Sequence, residues 1–172
     1  TGVRVGEFSG LRWEDVDLKN GYITIDHAMI YFAEKMNPTE QRTYISKPKT
    51  EAGIRKIPIV PEVRKALDEV KQYQYENGIF CRTEIDGYTN FIFLNRFGNV
   101  YLQQTLDRTL ARIIDAYNDM ELHDAAKKKR NAVLLPHFTC HVLRHTFCAR
   151  LCEHETNLKI IQSIMGHIDI GT

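Results

Sequence analysis

Long hydrophobic runs are missing from this 172-residue sequence, and so is a strong excess of charge of one sign. No stretch is long and apolar enough to span a membrane, and no signal peptide is visible, so the sequence indicates no membrane anchor. The net charge is only +1, so overall basicity does not point to nucleic acid, and any such case rests on local clusters. Because the first residue is Thr, we expect the chain to be a fragment.

Cysteine is scarce, and its placement argues against a disulfide framework. Three of the four cysteines, Cys140, Cys148 and Cys152, fall within one predicted helix. Buried free thiols fit that spacing better than disulfides do, which predicts a reducing, cytoplasmic compartment. Hydrophobic residues make up 43% of the chain, enough for one folded domain with a real core.

Positive charge is concentrated in two segments. Residues 42–56 hold five Lys or Arg against one Glu, and residues 123–150 hold six against one Asp. A run such as Lys127–Arg130 fits a solvated surface as well as a nucleic-acid contact, so both interpretations stay open.

Apolar periodicity predicts an α+β domain that is mainly helical, with a small antiparallel β-sheet near its N-terminal third. Strands are predicted at 22–25, 27–32, 42–46 and 54–59, the last two forming a hairpin with Lys49 near its tip. Helices are predicted to start near Val5, Pro61, Leu106, Thr139 and Asn157.

The most distinctive stretch is His141-Val142-Leu143-Arg144-His145, which follows the good helix N-cap Thr139. His141 and Arg144 are three residues apart, so they share one face of the helix. A histidine beside a guanidinium can bind a phosphate and also move a proton. Leu143 and Phe147 lie on another face, where we expect them to anchor the helix in a core.

A zinc site on this helix is a competing hypothesis. His141 and His145 have the i, i+4 spacing of a zinc helix, but the residue after the first His is Val rather than Glu. Cys148 and Cys152 add ligand types, yet their face would have to coincide with that of the histidines. We expect no metal site.

Taken together and in order, these elements closely resemble the catalytic domain of the tyrosine recombinases, the phage-type integrases. The motifs that carry the resemblance are Thr1-Gly2-Val3-Arg4-Val5-Gly6-Glu7, Lys49-Thr50 ahead of Arg55-Lys56-Ile57-Pro58, His141-x-x-Arg144-His145, and Gly166-His167. The resemblance covers nearly the whole chain, and the last forty residues look most like integrases of conjugative transposons. It implies the fold of DNA breaking–rejoining enzymes, and it implies site-specific recombination or integration through a 3′-phosphotyrosyl intermediate.

The resemblance also implies a role for each matching residue. Arg4 and Arg144 would contact the non-bridging oxygens of the DNA phosphodiester that is attacked. Lys49 would protonate the leaving 5′-oxygen, and His141 would assist proton transfer at the attacking tyrosine. His167 would contact the phosphate, Glu7 would hold Arg4 or the helix that carries His141 and Arg144, and His145 would be structural. Lys47, Arg55 and Lys56 are expected to bind DNA, and Lys47 and Lys56 compete with Lys49 as the catalytic lysine.

The family's nucleophilic tyrosine follows the Gly-His pair, so we expect it beyond Thr172, and not at Tyr88, Tyr101 or Tyr117. Residues 1–172 are therefore expected to be a catalytic domain truncated at both ends, without N-terminal DNA-binding domains or the tyrosine tail. Such a fragment should bind DNA without cleaving it. No metal or cofactor is implied.

The implied partners are double-stranded DNA attachment sites, other protomers in a synaptic tetramer of the full-length protein, and an accessory DNA-bending or excision factor, with no membrane. One alternative is a type IB topoisomerase, which shares the fold and chemistry. Another is a non-catalytic helix-turn-helix module made of residues 139–166. The acidic turn Glu153-His154-Glu155 is unfavourable for that module beside phosphates.

Overall fold

The computed structural model describes residues 1–33, 41–48, 53–155 and 157–166. The helices are α1 (Val5–Gly10), α2 (Pro61–Glu76), α3 (Gln103–Lys128), α4 (Cys140–His154) and α5 (Leu158–Met165). The strands are β1 (Val16–Asp17), β2 (Tyr22–Ile25), β3 (Ala28–Ala33), β4 (Gln41–Ser46) and β5 (Arg55–Pro58). The predicted α+β class is confirmed. No helix of the described part has the length and apolarity needed to cross a bilayer.

Within the described residues, the strands form two antiparallel sheets rather than the one small sheet that was expected. One sheet has the order β1-β2-β5, and the other pairs β3 with β4. The prediction that the strands now called β4 and β5 pair with each other is wrong, because β5 lies beside β2 with Ile57 opposite Ile23. That register buries the two isoleucines together, and burial of one face fixes the pairing of a strand.

The hydrophobic core lies between the β1-β2-β5 sheet, α2 and the segment after α1. Its buried residues are Leu11, Ile23, Ile25, Ile57, Leu67 and Ile92. Residues 79–101 form no long element, but Phe91 and Ile92 within them are completely buried. An isolated bridge between Arg12 and Phe91 ties this segment to the end of α1.

Helix α1 sits very close to β3 because two glycines face the strand. A Cβ on Gly6 would lie 2.7 Å from the carbonyl oxygen of Met29, and one on Gly10 would lie 3.0 Å from its nitrogen. Any larger residue would push the helix away from the strand. This contact sets the position of Arg4, which is the N-cap of α1.

The basic run 127–130 is the end of α3 and is partly neutralised within the molecule. Lys129 ends the helix in the left-handed conformation, at φ 51°. Arg130 then turns back to bond Glu121 and Asp124, and its hydrogen bond is the main reason that the pKa of Glu121 falls to about 2. The structure therefore favours an internal role for Arg130 over a DNA contact.

Candidate active site

Arg4 is held at the start of α1 by Glu7, one turn along the helix. The Arg4 backbone N–H donates to Glu7 Oε2 at 2.7 Å, and its Nη1 donates to Glu7 Oε1 at 3.0 Å. The Arg4 side chain is 48% exposed, whereas Glu7 is buried. Glu7 thus fixes the base of the Arg4 side chain and leaves part of its guanidinium open to solvent.

Arg144 projects from α4 toward the same place and is buried. Its Nη1 donates to the carbonyl of Gly2, and its Nη2 donates to the carbonyl of Met165 at 2.7 Å. The Phe147 ring packs directly against Gly2 one turn later on α4. Burial and the nearby Arg4 guanidinium lower the pKa of Arg144. The effect of Arg4 arises because the fold brings together two positive charges from residues 140 positions apart in the sequence.

Arg55 does not lie on the exposed face of β5. Its guanidinium is buried, with Nη1 and Nη2 donating to the two Glu7 oxygens at 3.0 and 2.7 Å and Nε donating to the carbonyl of Ile164 at 2.8 Å. The expectation that Arg55 binds DNA is therefore wrong, because a phosphate could not reach these donors. Arg55 and Ile57 alternate with exposed Lys56 and Pro58, so the alternation of the strand already placed Arg55 on the inner face.

Burial and hydrogen bonds act in opposite directions on Glu7. Burial alone would favour the neutral carboxyl, but hydrogen bonds from Arg55 and Arg4 outweigh it, so the pKa of Glu7 lies below its usual value. Glu7 is therefore a carboxylate at neutral pH and serves two arginines at once.

Arg4, His141 and Arg144 line one open cavity of about 570 Å³ between α1, β3, α4 and the start of α3. Among the described residues that line it, none is Asp or Glu. Polar lining residues that the sequence analysis did not single out include Tyr31 on β3 and Ser9 on α1. Ser9 is buried, and its hydroxyl has no hydrogen-bond partner among the described residues. A cavity lined by guanidiniums and without carboxylates is suited to an anion.

His141 and His145 contact each other on α4. Their Nε2 atoms are 2.8 Å apart and their rings meet edge to face, 4.3 Å between centroids. One Nε2 donates and the other accepts, so at least one of the two rings is neutral. His141 lines the cavity, and His145 orients it from the next turn.

The remaining site residues of the sequence analysis separate into two groups. Lys49 and His167 lie outside the described residues. Lys47 and Lys56 are exposed, and the Lys56 ammonium lies 4.0 Å from the centroid of the Tyr22 ring. Both side chains therefore remain accessible to a ligand.

The apolar face of α4 does not anchor the helix in a core. Leu143 is 49% exposed and, with the partly buried Phe147, lines an open apolar groove against α1 and α3. The expectation of core burial is wrong for Leu143, because α4 turns Arg144 inward instead. Cys140 lies between the groove and the cavity. Burial, and to a lesser extent the hydrogen bond and negative charge of Asp107, raise the pKa of its thiol to about 11.

A possible metal-ligand grouping lies away from the cavity, at Asp15, Asp26 and His27. The His27 ring already bonds Asp26 and the Gly10 carbonyl, and Asp15 accepts from Arg12. These hydrogen bonds explain why Asp15, Asp26 and His27 lie close together without a metal ion. Within the described residues, no third ligand joins His141 and His145 to form such a grouping.

Comparison with known proteins identifies the family. The sequence profile of the phage integrase family matches residues 1–172. The transposase of transposon Tn916 from Enterococcus faecalis is 36% identical over 171 residues, covering 99% of this chain and 38% of the relative. A tyrosine recombinase XerC-like protein of Caldanaerobacter subterraneus is 27% identical, covering 99% of this chain and 41% of that relative.

Solved structures agree with this assignment. The integrase of transposon Tn1549, in complex with circular intermediate DNA, superposes with a TM-score of 0.79 at 32% identity, covering 98% of this chain and 49% of that one. XerA recombinase shares the fold, with a TM-score of 0.62 at 22% identity.

The fold is the mixed α+β fold of the tyrosine recombinase catalytic domain. The chain belongs to the phage integrase family, the tyrosine recombinases, and within it resembles the conjugative-transposon type. The family prediction made from the sequence is confirmed. The chain spans less than half the length of the relatives it matches.

Proposed function

We propose that this chain is the catalytic domain of a site-specific recombinase that integrates or exchanges DNA through a 3′-phosphotyrosyl intermediate. The observation that carries the proposal is the convergence of Arg4, Arg144 and His141 on one cavity whose described lining has no carboxylate. Transposon Tn1549 integrase, a structural neighbour, is described in complex with DNA, which supports double-stranded DNA as the substrate.

The two arginines would stabilise the charge that develops on the phosphate. Attack on a phosphodiester adds negative charge to the non-bridging oxygens, and a guanidinium offers five donors in a rigid fork. Arg144 is preorganised by two backbone carbonyls, while Arg4 is oriented by Glu7 and half exposed toward solvent. Fixed donors of this kind supply about 3 kcal/mol each to a transition state, by analogy with oxyanion holes.

His141 would move the proton of the attacking tyrosine. It lines the cavity, and the Nε2 contact with His145 fixes its ring. With both rings neutral, the pair takes up one proton and then carries a single positive charge beside the two arginines.

Lys49 would protonate the leaving 5′-oxygen, and His167 would contact the phosphate. A substrate with sulfur in place of that oxygen tests the lysine, because a thiolate leaves without needing a proton. Lys49→Ala should cleave the sulfur substrate at nearly the wild-type rate and the ordinary one slowly. If Lys47→Ala or Lys56→Ala shows this pattern instead, that lysine is the general acid.

The attacking tyrosine would follow Gly166-His167 in the longer protein. Among the described tyrosines, Tyr31 lines the cavity, so it is the alternative to test. Peptide mapping of a covalent DNA adduct separates the two, since an adduct on Tyr31 would overturn this part of the proposal.

The full-length protein would act in the cytoplasm on paired attachment sites, as a synaptic tetramer, with an accessory DNA-bending or excision factor. An assay that measures both strand exchange and relaxation distinguishes this function from a topoisomerase. Exchange between paired sites supports a recombinase, whereas relaxation of supercoils without exchange supports the type IB alternative.

Covalent capture tests the proposal directly. The full-length protein and the 172-residue chain would each be incubated with a nicked suicide substrate, and adducts would be separated on a denaturing gel. We expect an adduct with the full-length protein, none with the 172-residue chain, and none with full-length Arg144→Ala. Arg150→Ala is the matched control, because Arg150 is an exposed arginine of the same helix paired only with Glu153 among the bonds described.

Two outcomes would contradict the proposal. An adduct formed by the 172-residue chain would place the nucleophile inside it. DNA binding without any adduct, unchanged by Arg4→Ala, would support a non-catalytic helix-turn-helix module.

A further inference from the structure

The guanidinium of Arg55 is engaged at every nitrogen. All three of its guanidinium nitrogens donate hydrogen bonds, two to Glu7 and one to the carbonyl of Ile164. Its side chain is 2% exposed, and the paired Glu7 is 7% exposed. A parallel two-bond pair of this kind fixes the orientation of both groups as well as their distance.

The same guanidinium takes part in an unusual cap at the end of α5. Three successive carbonyls there accept from three arginines: Ile164 from Arg55 at 2.8 Å, Met165 from Arg144 at 2.7 Å, and Gly166 from Arg4 at 3.3 Å. The last carbonyls of a helix have no partner within the helix, and its C-terminus carries partial negative charge. Three cations therefore satisfy this helix end.

Gly166 lets these groups approach. It ends α5 with φ 65°, and a Cβ there would lie 3.0 Å from Arg55 Nη1. A side chain at residue 166 would therefore be strained in this conformation and would press on the guanidinium. Arg55 consequently packs directly under the point where the chain leaves α5 toward residue 167.

Glu7 couples this cap to the cavity. Its Oε1 accepts from Arg55 Nη1 and from Arg4 Nη1, both at 3.0 Å. Without Glu7 and the helix carbonyls, the three guanidiniums would repel one another. Arg55 is thus fixed at the junction of β5, α1 and α5. Arg4 is the most exposed of the three arginines and faces solvent.

We infer that Arg55 is a positioning residue of the recombination reaction, which rests on the function proposed above. It sets Arg4 through Glu7, and it sets the end of α5 from which residue 167 continues. It acts without touching the phosphate. A displacement of about 1 Å in such groups is enough to slow a reaction about 100-fold.

The test compares Arg55→Lys and Arg55→Met with Arg64→Met in the full-length protein. Arg64 is the matched control, because it is an exposed arginine of α2 that also donates to a carbonyl, that of Leu18. Arg55→Lys keeps the charge and nearly the volume, so it guards against simple loss of the fold. It cannot reproduce the two-bond pair together with the Nε bond.

Three quantities are measured. We expect the single-turnover cleavage rate at saturating DNA to fall about 100-fold in Arg55→Met and less in Arg55→Lys. The DNA dissociation constant and its salt dependence should stay within twofold of wild type, since a lost phosphate contact would lower the salt slope by about one. Hydrogen exchange should speed up in the last turn of α5 but not in α2.

Each other outcome decides against a specific claim. Unchanged hydrogen exchange in the last turn of α5 would overturn the claim that Arg55 stabilises this helix end, whether or not the protein cleaves DNA. Wild-type cleavage in Arg55→Met, or a lowered salt slope, would overturn the positioning role. If wild type itself forms no adduct, the proposed function fails, and the positioning role in recombination fails with it.

Discussion

Replacing Glu7 by glutamine keeps the shape of the side chain and removes its charge. Glu7 is 6% exposed and bonds both terminal nitrogens of the buried Arg55. Removing one partner of a buried ion pair costs about 3–5 kcal/mol, because the remaining charge stays desolvated. Glutamine still offers one acceptor oxygen, so we expect the low end, about 3 kcal/mol. For a chain of this length that lowers the melting temperature by about 8 °C.

The effect of pH gives this prediction its sharpest form. The pKa of Glu7 is lower in the folded protein than in the unfolded chain, so its contribution to stability is complete above about pH 4.3. That contribution disappears as the pH falls through the folded pKa. The difference in unfolding free energy between wild type and Glu7→Gln should therefore be full at pH 7 and should shrink at pH 3.

Urea denaturation followed by circular dichroism at both pH values measures this difference. Glu69→Gln is the matched control, because Glu69 forms an exposed ion pair with Lys65 at 3.8 Å and such pairs contribute about 0.5 kcal/mol or less. A melting temperature of Glu7→Gln within 2 °C of wild type would refute the reasoning, since about 3 kcal/mol requires several degrees. A difference from wild type that is the same at pH 3 and pH 7 would also refute it.

Two further predictions concern burial. In urea denaturation, Ile114→Ala should lower the unfolding free energy by about 3 kcal/mol, because Ile114 is 1% exposed. Ile113→Ala should lower it by less than about 1 kcal/mol, because Ile113 is 60% exposed. Equal losses in the two variants would contradict the packing of α3. At pH 8 a maleimide probe should modify exposed Cys152 at least tenfold faster than Cys140, whose thiol pKa of about 11 keeps it protonated; rapid labelling of Cys140 would contradict that environment.

Helix positions could be read from the sequence because their signals are local. Thr139 precedes α4, Asn157 caps α5 by accepting from the Lys159 N–H, and Gly166 ends α5 in the left-handed conformation. Pro61 begins α2 and Asn77 follows its end. Caps and apolar periodicity depend on neighbours a few residues away, so one sequence suffices to locate them.

Strand partners could not be read in the same way. The stretches 42–46 and 54–59 are neighbours in sequence, which favoured a hairpin, but β5 pairs with β2. Which strands pair depends on where a buried face finds its core, here Ile57 beside Ile23 and Ile25. That choice is made by non-local packing.

The site shows the same division. The residues that line the cavity from α1 and α4 follow from motifs, and Arg4, His141 and Arg144 do converge. The inward position of Arg55 was signalled by strand alternation but overlooked, because a Lys- and Arg-rich segment favoured a surface. Ser9 and Tyr31 carry no sequence signal, since only the close seating of α1 on β3 brings them to the cavity.

The central claim is that the arginines of this cavity neutralise charge on a DNA phosphate, and the most direct measurement replaces one non-bridging oxygen of that phosphate by a methyl group. The phosphorus centre of such a substrate is uncharged before attack and carries one negative charge less in the transition state, so Arg4 has less charge to stabilise. The ratio of wild-type to Arg4→Ala cleavage rates in the full-length protein should be about 100 on ordinary DNA, from about 3 kcal/mol of lost stabilisation, and at least tenfold smaller on the methylated substrate. The same ratio on both substrates would contradict the account.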